Sequence, residues 1–285
     1  MTDGVLPGLS HFQAEPLLKA HRAGEATAIT SLDLGLTTVE VTLGREGVAM
    51  LSGGGLDWAT LTVIAADNVG CYTIEGGEAV KAQQFSEMLN RMYSLMPTRR
   101  APTMLISGIP MHRVKDVDPT EDTRRKIRAA NPRGRVLDTA TGLGYTAIEA
   151  ARTADHVTTI EIDPTALAMA RLNPWSRSLF DNPKIQQVIG DSFDVVASLP
   201  DENFSVIVHD PPIMSLAGDL YSKDMYAELY RILRRSGRLF HYIGDPDGKM
   251  GANVTRGATR RLLDAGFARV ERRPEAFGVV AYKER

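Results

Sequence analysis

The chain has 285 residues, 43% of them hydrophobic, so it can form one large domain or two modest domains with buried cores. The formal net charge of −2 provides no overall field that would attract nucleic acid, and the single cysteine excludes an intramolecular disulfide framework. The sequence contains neither a membrane-spanning pattern nor a signal-peptide pattern, and we therefore expect a cytoplasmic protein without a membrane partner.

Residues 1–110 are predicted to form a small domain rich in β-strands. A short helix is expected near residues 15–23. Alternating apolar residues and glycine turns indicate strands at 37–43, 48–51, 61–64, 71–74 and 103–107. Residues 81–93 are predicted to form a helix packed on the core, because four apolar side chains have the spacing of one helical face. These are Phe85, Met88, Leu89 and Met92.

Residues 111–133 form a basic join that is predicted to contain a helix at 119–130. Between residues 97 and 135 there are ten basic and four acidic residues. Such a segment can grip RNA phosphates, but charges of both signs and the absence of interleaved aromatic residues favour an ordinary solvated helix. A second basic region is interpreted in the same way. It comprises Arg256, Arg260, Arg261, Arg269, Arg272 and Arg273.

The most informative stretch is residues 135–151, where a short apolar strand leads through a glycine turn into a helix. Gly142 and Gly144 let the backbone approach a ligand closely, and the helix start offers free N–H groups. Asp138 precedes this turn. Its charge would repel the phosphates of a dinucleotide but not a sulfonium cation that carries a free amino group. The pattern therefore favours S-adenosylmethionine over NAD.

Strand and helix patterns alternate through the rest of the chain, which predicts a mostly parallel sheet. Further strands are expected at 156–163, 184–189, 204–212 and 237–244. Helices are expected at 145–151, 164–172 and 223–233. Glu161 lies 17 residues after Gly144, close to the interval at which a carboxylate receives ribose hydroxyls in nucleotide-binding folds.

Residues 134–285 resemble the class I S-adenosylmethionine-dependent methyltransferases. The resemblance implies a Rossmann-like α/β sheet of seven strands, closed by an antiparallel pair near 268–273 and 278–283. It also implies that the smaller β-rich N-terminal domain covers the active site. The family's methionine-binding positions correspond to Asp138, Ala140, Gly142, Gly144 and Tyr145. Its adenosine-binding positions correspond to Glu161 and Ile162 for the ribose and to Gly190, Asp191 and Ser192 for the adenine.

A narrower resemblance extends over nearly the whole chain. Several short runs are similar to archaeal-type predicted methyltransferases, which are described as related to spermidine synthases. The runs are Met111-His-Arg113, Gly142-Leu-Gly-Tyr145, Asn173-Pro-Trp-Ser176, His209-Asp-Pro-Pro212, Ala217-Gly-Asp-Leu-Tyr-Ser222 and Phe240-His-Tyr242. This resemblance leaves the acceptor open among small molecules, peptides and nucleic acids, and a homodimer is one expected assembly.

The run His209-Asp-Pro-Pro212 ends a predicted strand, which places Asp210 at the carboxyl edge of the sheet, where it is a candidate both for binding the cofactor and for catalysis. Pro211 and Pro212 remove backbone donors. A carboxylate and an unpaired carbonyl could then accept both hydrogens of an amine and aim its lone pair at the methyl group. The run resembles the Asp-Pro-Pro-aromatic motif of amino methyltransferases, with Ile213 in the aromatic position. The alternative is a rigid turn in which Asp210 only caps the next segment.

Other side chains are candidates for catalysis or acceptor binding. They are His112, Arg113, Trp175, His209, Tyr221 and His241. A histidine of near-neutral pKa can remove a proton from an incoming ammonium, but an ordinary structural role is favoured for His209 and His241. Tyr221 and Trp175 can face the pocket or simply pack. The histidines lack metal-ligand spacing, so no metal is expected.

These features predict methyl transfer from S-adenosylmethionine to an amine or another polar nucleophile. Aminopropyl transfer is the closest alternative. Two departures from the spermidine synthase motifs argue against it. That family has Tyr-His-Glu where this chain has Met111-His-Arg113, and it has two spaced aspartates where this chain has only Asp210. Aminocarboxypropyl transfer or other sulfonium chemistry stays open, as does a non-enzymatic module that senses the cofactor or binds RNA.

Overall fold

The computed structural model describes residues 7–49, 55–212, 218–244 and 251–284. The chain divides into two compact units. The first contains Met1–Thr120 and Thr165–Arg177, and the second contains Glu121–Pro164 and Ser178–Arg285. The expected domain boundaries, and the expected cover of the site by the N-terminal domain, stay predictions. Among the described residues, no helix combines the length and the apolar character needed to cross a bilayer.

The N-terminal part of the first unit is rich in short strands, as predicted. Helix α1 (His11–Arg22) begins after Ser10, whose N–H donates to Gln13 Oε1 at 3.0 Å. A second helix, α2, spans Trp58–Ala66. The strands are β1 (Gly8–Leu9), β2 (Thr27–Thr30), β3 (Val39–Thr42), β4 (Gly47–Ala49), β5 (Gly55–Asp57), β6 (Tyr72–Glu75), β7 (Glu78–Lys81), β8 (Gln83–Ser86), β9 (Arg91–Met96), β10 (Thr103–Ile106) and β11 (Ile109–Pro110).

These strands form several small antiparallel sheets within the described residues. The largest has the order β11-β10-β9-β8, another has the order β1-β6-β7, and β2 with β3 and β4 with β5 form pairs. One buried cluster joins α1 and α2 to the strands, and it includes Leu17, Leu61, Ile64, Val41 and Leu56. Residues 50–51 of the predicted 48–51 strand lie outside the described residues.

The helix predicted at residues 81–93 is wrong. The segment forms β8 and β9, which pair as a hairpin, and Asn90 in the turn has a left-handed φ of 51°. Its four apolar side chains are exposed rather than buried, with Met88 at 63%. Strand β9 also pairs with β10, so partners distant in sequence override the local helical spacing.

The strand predicted at residues 61–64 is also wrong, because this stretch lies inside α2. Asp57 caps the helix, and its carboxylate accepts the Thr60 N–H at 2.6 Å. Leu61 and Ile64 stand three residues apart, which puts both on one helical face, and both are fully buried. An N-cap and a three-residue spacing were the local signals that distinguish this helix from a strand.

From residue 119 onward the predicted elements are present. The helices are α3 (Pro119–Ala130), α4 (Tyr145–Ala150), α5 (Pro164–Arg171), α6 (Arg177–Asp181), α7 (Ser192–Ser198), α8 (Lys223–Ile232) and α9 (Gly251–Asp264). The strands are β12 (Arg135–Asp138), β13 (His156–Glu161), β14 (Ile185–Ile189), β15 (Phe204–His209), β16 (Leu233–Tyr242), β17 (Arg269–Arg273) and β18 (Gly278–Tyr282).

The second unit is built on a seven-stranded sheet within the described residues, in the order β14-β13-β12-β15-β16-β18-β17. The first five strands are parallel, and β18 runs antiparallel to both of its neighbours. The predicted Rossmann-like sheet with an antiparallel closing pair is therefore confirmed. The strand order reverses between β12 and β15, and open α/β sheets bind ligands beside such a reversal, at the carboxyl ends of the strands.

Candidate cofactor and acceptor site

The glycine turn after β12 has the backbone that its sequence predicts. Gly142 and Gly144 have φ angles of 51° and 76°, in the left-handed region that favours glycine. A Cβ at Gly144 would lie 2.7 Å from Leu179 Cδ2, so a larger residue does not fit. Gly144 caps α4, and Tyr145 is its first, buried residue. Ala140 lies in the turn and is partly exposed.

Asp138 is fully buried at the end of β12. Its Oδ2 accepts hydrogen bonds from the hydroxyls of Thr146 and Thr159, each at 2.9 Å. Its Oδ1 makes no full hydrogen bond with the described residues, although the Ala140 N–H is near enough to lower the pKa. Burial outweighs these contacts and raises the pKa of Asp138 to about 7. Asp138 Oδ1 is therefore a buried hydrogen-bond acceptor that lacks a full hydrogen bond to the described residues.

Glu161, at the end of β13, connects this strand to the glycine turn by a hydrogen bond. Its Oε2 accepts the Gly142 N–H at 2.8 Å, and its Oε1 accepts the Asp163 N–H at 3.1 Å. Burial raises the pKa of Glu161 to about 7, against the lowering effect of these bonds. Ile162 follows and is partly exposed.

The predicted adenine-binding segment follows β14. Asp191 is exposed and caps α7, because its Oδ1 accepts the Phe193 N–H at 2.8 Å. Ser192 is buried and donates to the Thr139 carbonyl at 2.5 Å, and Gly190 directly precedes the cap. Asp138, Glu161 and Asp191 thus stand at or just after the carboxyl ends of three neighbouring parallel strands.

Asp210 follows β15 and forms a buried ion pair that sequence reasoning missed. Its Oδ2 lies 2.7 Å from Lys126 Nζ. The same ammonium lies 3.0 Å from Asp122 Oδ2 and 4.2 Å from the centre of the Tyr242 ring. Lys126 and Asp122 are 2% and 0% exposed, so α3 occupies its predicted residues but is not simply a solvated helix. The i, i+4 spacing of Asp122 and Lys126 could have predicted their own ion pair, but not the pair of Lys126 with Asp210.

The charged groups of this cluster shift one another's pKa values. Burial raises the pKa of Asp210, and the Lys126 ammonium opposes that rise. Burial acts to lower the pKa of Lys126, but Asp210 and Asp122 together raise it above its usual value. Lys126 therefore stays protonated at neutral pH. Asp210 Oδ1 accepts no hydrogen bond from the described residues, which leaves it as an acceptor at the edge of the sheet.

His209 and His241 are both fully buried and hydrogen-bonded. The Leu220 carbonyl lies 2.8 Å from His209 Nε2 and can only accept, so Nδ1 accepts the Thr139 hydroxyl at 2.8 Å. The His241 ring meets the His209 carbonyl at 3.2 Å and the Tyr226 hydroxyl at 2.8 Å. Burial lowers the pKa of His209 to about 4. Burial and the neighbouring His209 ring lower the pKa of His241 well below its usual value, so the environment favours the neutral form of both rings.

A side-chain hydrogen bond holds the proline turn that follows Asp210. The Tyr221 hydroxyl donates to the Pro212 carbonyl at 3.0 Å, so this carbonyl is not left unpaired for a substrate amine. Pro211 connects Asp210 to this turn. Ile213, the predicted acceptor contact, lies outside the described residues. The Asp210 carboxylate remains as a hydrogen-bond acceptor in this motif, because its Oδ1 has no partner among the described residues.

The remaining candidates belong to the first unit. His112 Nδ1 lies 2.9 Å from the Thr103 hydroxyl, and Arg113 follows it in a partly exposed loop. The Trp175 indole N–H donates to the Leu34 carbonyl at 3.1 Å, which gives this side chain a structural contact. The assignment of His112, Arg113 and Trp175 to the acceptor site stays a prediction.

Comparison with known proteins agrees with this architecture. The family model for the methyltransferase small domain matches residues 124–245, a range that contains Lys126, Asp138 and Asp210. The uncharacterized protein MJ1233 of Methanocaldococcus jannaschii is 44% identical over 261 residues, which cover 90% of this chain and 89% of that protein. The chain belongs to a methyltransferase-like family related to spermidine synthases.

Relatives within this wider group include the polyamine aminopropyltransferase 2 of Streptomyces coelicolor. It is 30% identical over 138 residues, which cover 46% of this chain and 25% of that protein. Among solved structures, a spermidine synthase in complex with the transition-state analogue AdoDATO has a TM-score of 0.57 at 18% identity. The match covers 74% of this chain and 78% of that one, and it shows a shared fold.

Proposed function

We propose that this family member transfers a methyl group from S-adenosylmethionine to an amine nitrogen. The observation that carries the proposal is the state of the Asp210 carboxylate. One oxygen is fixed by the buried Lys126 ammonium, and the other is left as an acceptor at the sheet edge, two strands from Glu161 and beside Asp138. An oriented carboxylate at this edge suits an acceptor that brings N–H groups.

The residues around the glycine turn fit the cofactor. Asp138 Oδ1 is buried and lacks a full hydrogen bond, which an ammonium group of the methionine part would supply. Glu161 uses one lone pair of each oxygen for backbone N–H groups, and the others can receive ribose hydroxyls. When bound, S-adenosylmethionine supplies an electrophilic methyl group whose bond to sulfur breaks with its electron pair retained by sulfur.

Asp210 has the role of holding the acceptor nitrogen. Its free oxygen accepts one N–H of a neutral amine, so the nitrogen lone pair is directed away from the carboxylate and toward the cofactor side of the edge. Lys126 keeps the carboxylate from rotating. As the nitrogen forms its new bond to carbon it becomes cationic, and Asp210 stabilises that charge before the surplus proton passes to water.

Aminopropyl transfer is the second candidate, and the likeness to polyamine aminopropyltransferases favours it. That reaction uses decarboxylated S-adenosylmethionine and a polyamine. A polyamine cation requires uncompensated acids, whereas Lys126 offsets much of the charge of Asp210 and Asp122. We therefore rank methyl transfer first.

Product analysis tests the proposal. The protein is incubated with methyl-labelled S-adenosylmethionine or with decarboxylated S-adenosylmethionine, each with small amines, a lysine peptide or RNA, and products are identified by mass spectrometry. The proposal expects label on nitrogen. Aminopropylated product, or label on sulfur or carbon, would contradict it. Tight cofactor binding without turnover of any acceptor would favour a sensing module instead.

A further inference from the structure

The two basic segments of the sequence contribute to one cleft in the second unit. The cleft has a volume of about 270 Å³. Its lining includes four arginines, which are Arg125 and Arg128 of α3, Arg238 of β16 and Arg273 of β17. This local cluster is notable because the chain as a whole has a net charge of −2.

Two of the four guanidinium groups have acidic partners. Arg125 pairs with Glu121 at 3.0 Å, and Arg273 pairs with Glu271. Arg128 is exposed, and neither Arg128 nor Arg238 forms an ion pair within the described residues. Glu275 also lines the cleft, but the four arginines outnumber its single carboxylate. An arginine without an ion-pair partner is suited to bind an anion through several N–H groups at once.

The lining favours phosphate groups of a polymer over a compact small molecule. Small-molecule pockets are mostly apolar, whereas this cleft is lined mainly by charged and polar side chains. Tyr282 lines the cleft, but Arg269 lies over its ring at 4.0 Å, so that face is not open to a stacking base. Contacts to a phosphodiester backbone need no stacking surface.

The cleft is distinct from the catalytic edge. Arg238 and Tyr242 stand on the same face of β16, four residues apart, which corresponds to about 13 Å along a strand. Tyr242 contacts Lys126 and thereby the Asp210 cluster. A bound anion at Arg238 would therefore lie away from Asp210, on the same side of the sheet.

We propose that this arginine cleft binds the phosphodiester backbone of a nucleic acid. Recognition is electrostatic and independent of base sequence, because the lining offers guanidinium groups but no exposed base-stacking face. The proposal goes beyond methyl transfer and does not depend on it, so cofactor or product assays can fail while the cleft still binds its ligand.

The test is fluorescence anisotropy with a labelled single-stranded oligoribonucleotide of about 20 nucleotides, repeated with the corresponding DNA. The cleft variant is Arg128→Glu with Arg238→Glu. The matched control is Arg235→Glu with Arg260→Glu, which makes the same charge change at side chains 74% and 86% exposed outside the cleft. A milder pair, Arg128→Gln with Arg238→Gln, is measured beside them, and thermal unfolding shows which variants fold.

We expect binding of both RNA and DNA, and an affinity at least about tenfold lower in the cleft variants than in the control. Loss of two phosphate contacts should reduce the slope of log affinity against log salt by about 1.4. The proposal is overturned if the wild-type protein binds neither polymer at low salt, or if cleft and control variants lose affinity equally. Binding of inorganic pyrophosphate but not of either polymer would also overturn it.

Discussion

Two carboxylates stand at the ends of the neighbouring strands β12 and β15, and their surroundings differ in charge. Asp138 is held by two neutral threonine hydroxyls, whereas Asp210 is held by the Lys126 ammonium. Burial raises the pKa of both groups. The buried charge of Asp138 is therefore offset only by neutral hydroxyls, and its pKa rises to about 7, whereas the buried charge of Asp210 is offset by an ammonium that acts to lower its pKa.

This difference suits the roles proposed for the two carboxylates, cofactor binding by Asp138 and acceptor orientation by Asp210. An acid without a counterion attracts a cationic ligand, and binding of that ligand restores its charge balance. An acid that already has a counterion can stay charged without a ligand and keep one orientation.

Removing the counterion should have the largest effect. Lys126→Met leaves two acids without their shared ammonium, and loss of one partner of a buried ion pair costs about 3–5 kcal/mol. Chemical denaturation measures the free energy of unfolding. Arg125→Met, on the same helix, removes only a partly exposed pair and should cost less than about 1 kcal/mol. Equal losses in the two variants would show that the Lys126 cluster gives no special stability.

Neutralising Asp138 should change how stability depends on pH. The folded pKa of Asp138 is raised to about 7, so the folded state retains a proton that the unfolded state has released. Wild-type stability should therefore fall relative to Asp138→Asn, by a few kcal/mol, as pH rises from about 4 to about 7. Denaturation of both proteins across this range measures the difference. A constant difference would mean that Asp138 titrates normally.

Changing Glu161 should have the smallest of the three effects. Glu161→Ala removes the acceptors proposed for the ribose hydroxyls, and affinity for S-adenosylhomocysteine should fall at least about tenfold by calorimetry. An analogue without both ribose hydroxyls separates this from damage to the glycine turn. Wild type should bind the analogue more weakly than it binds S-adenosylhomocysteine. Glu161→Ala should bind the two compounds with nearly equal affinity. Glu149→Ala on α4 is the control. Additive losses would remove Glu161 from ribose recognition.

Local signals made much of the second unit predictable. Asp138, Gly142 and Gly144 occur within seven consecutive residues, and the left-handed turn follows from the glycines themselves. The alternation of strands and helices was enough for the parallel sheet. The ion pair between Lys126 and Asp210 joins residues 84 positions apart, so no local spacing could reveal it.

The first unit was harder to predict because its strands depend on distant partners. Strand β9 pairs with a strand on each side, although Met92 belongs to the helical spacing that predicted a helix at 81–93. The exposed apolar tip of this hairpin contradicts the usual rule that such a stripe is buried. In the second unit the Tyr221 contact with Pro212 was likewise invisible, because it depends on how a turn folds back.

In the proposed mechanism, Asp210 orients the acceptor without binding the cofactor. This role is tested most directly by Asp210→Asn, with turnover measured beside the affinity for S-adenosylhomocysteine. The substitution replaces an acceptor with a donor facing the substrate N–H, so turnover should fall about a hundredfold while cofactor affinity barely changes. Asp224→Asn, an exposed change on α8, should leave both unchanged. If cofactor affinity collapses in folded Asp210→Asn, or if turnover is unaffected, the account is wrong.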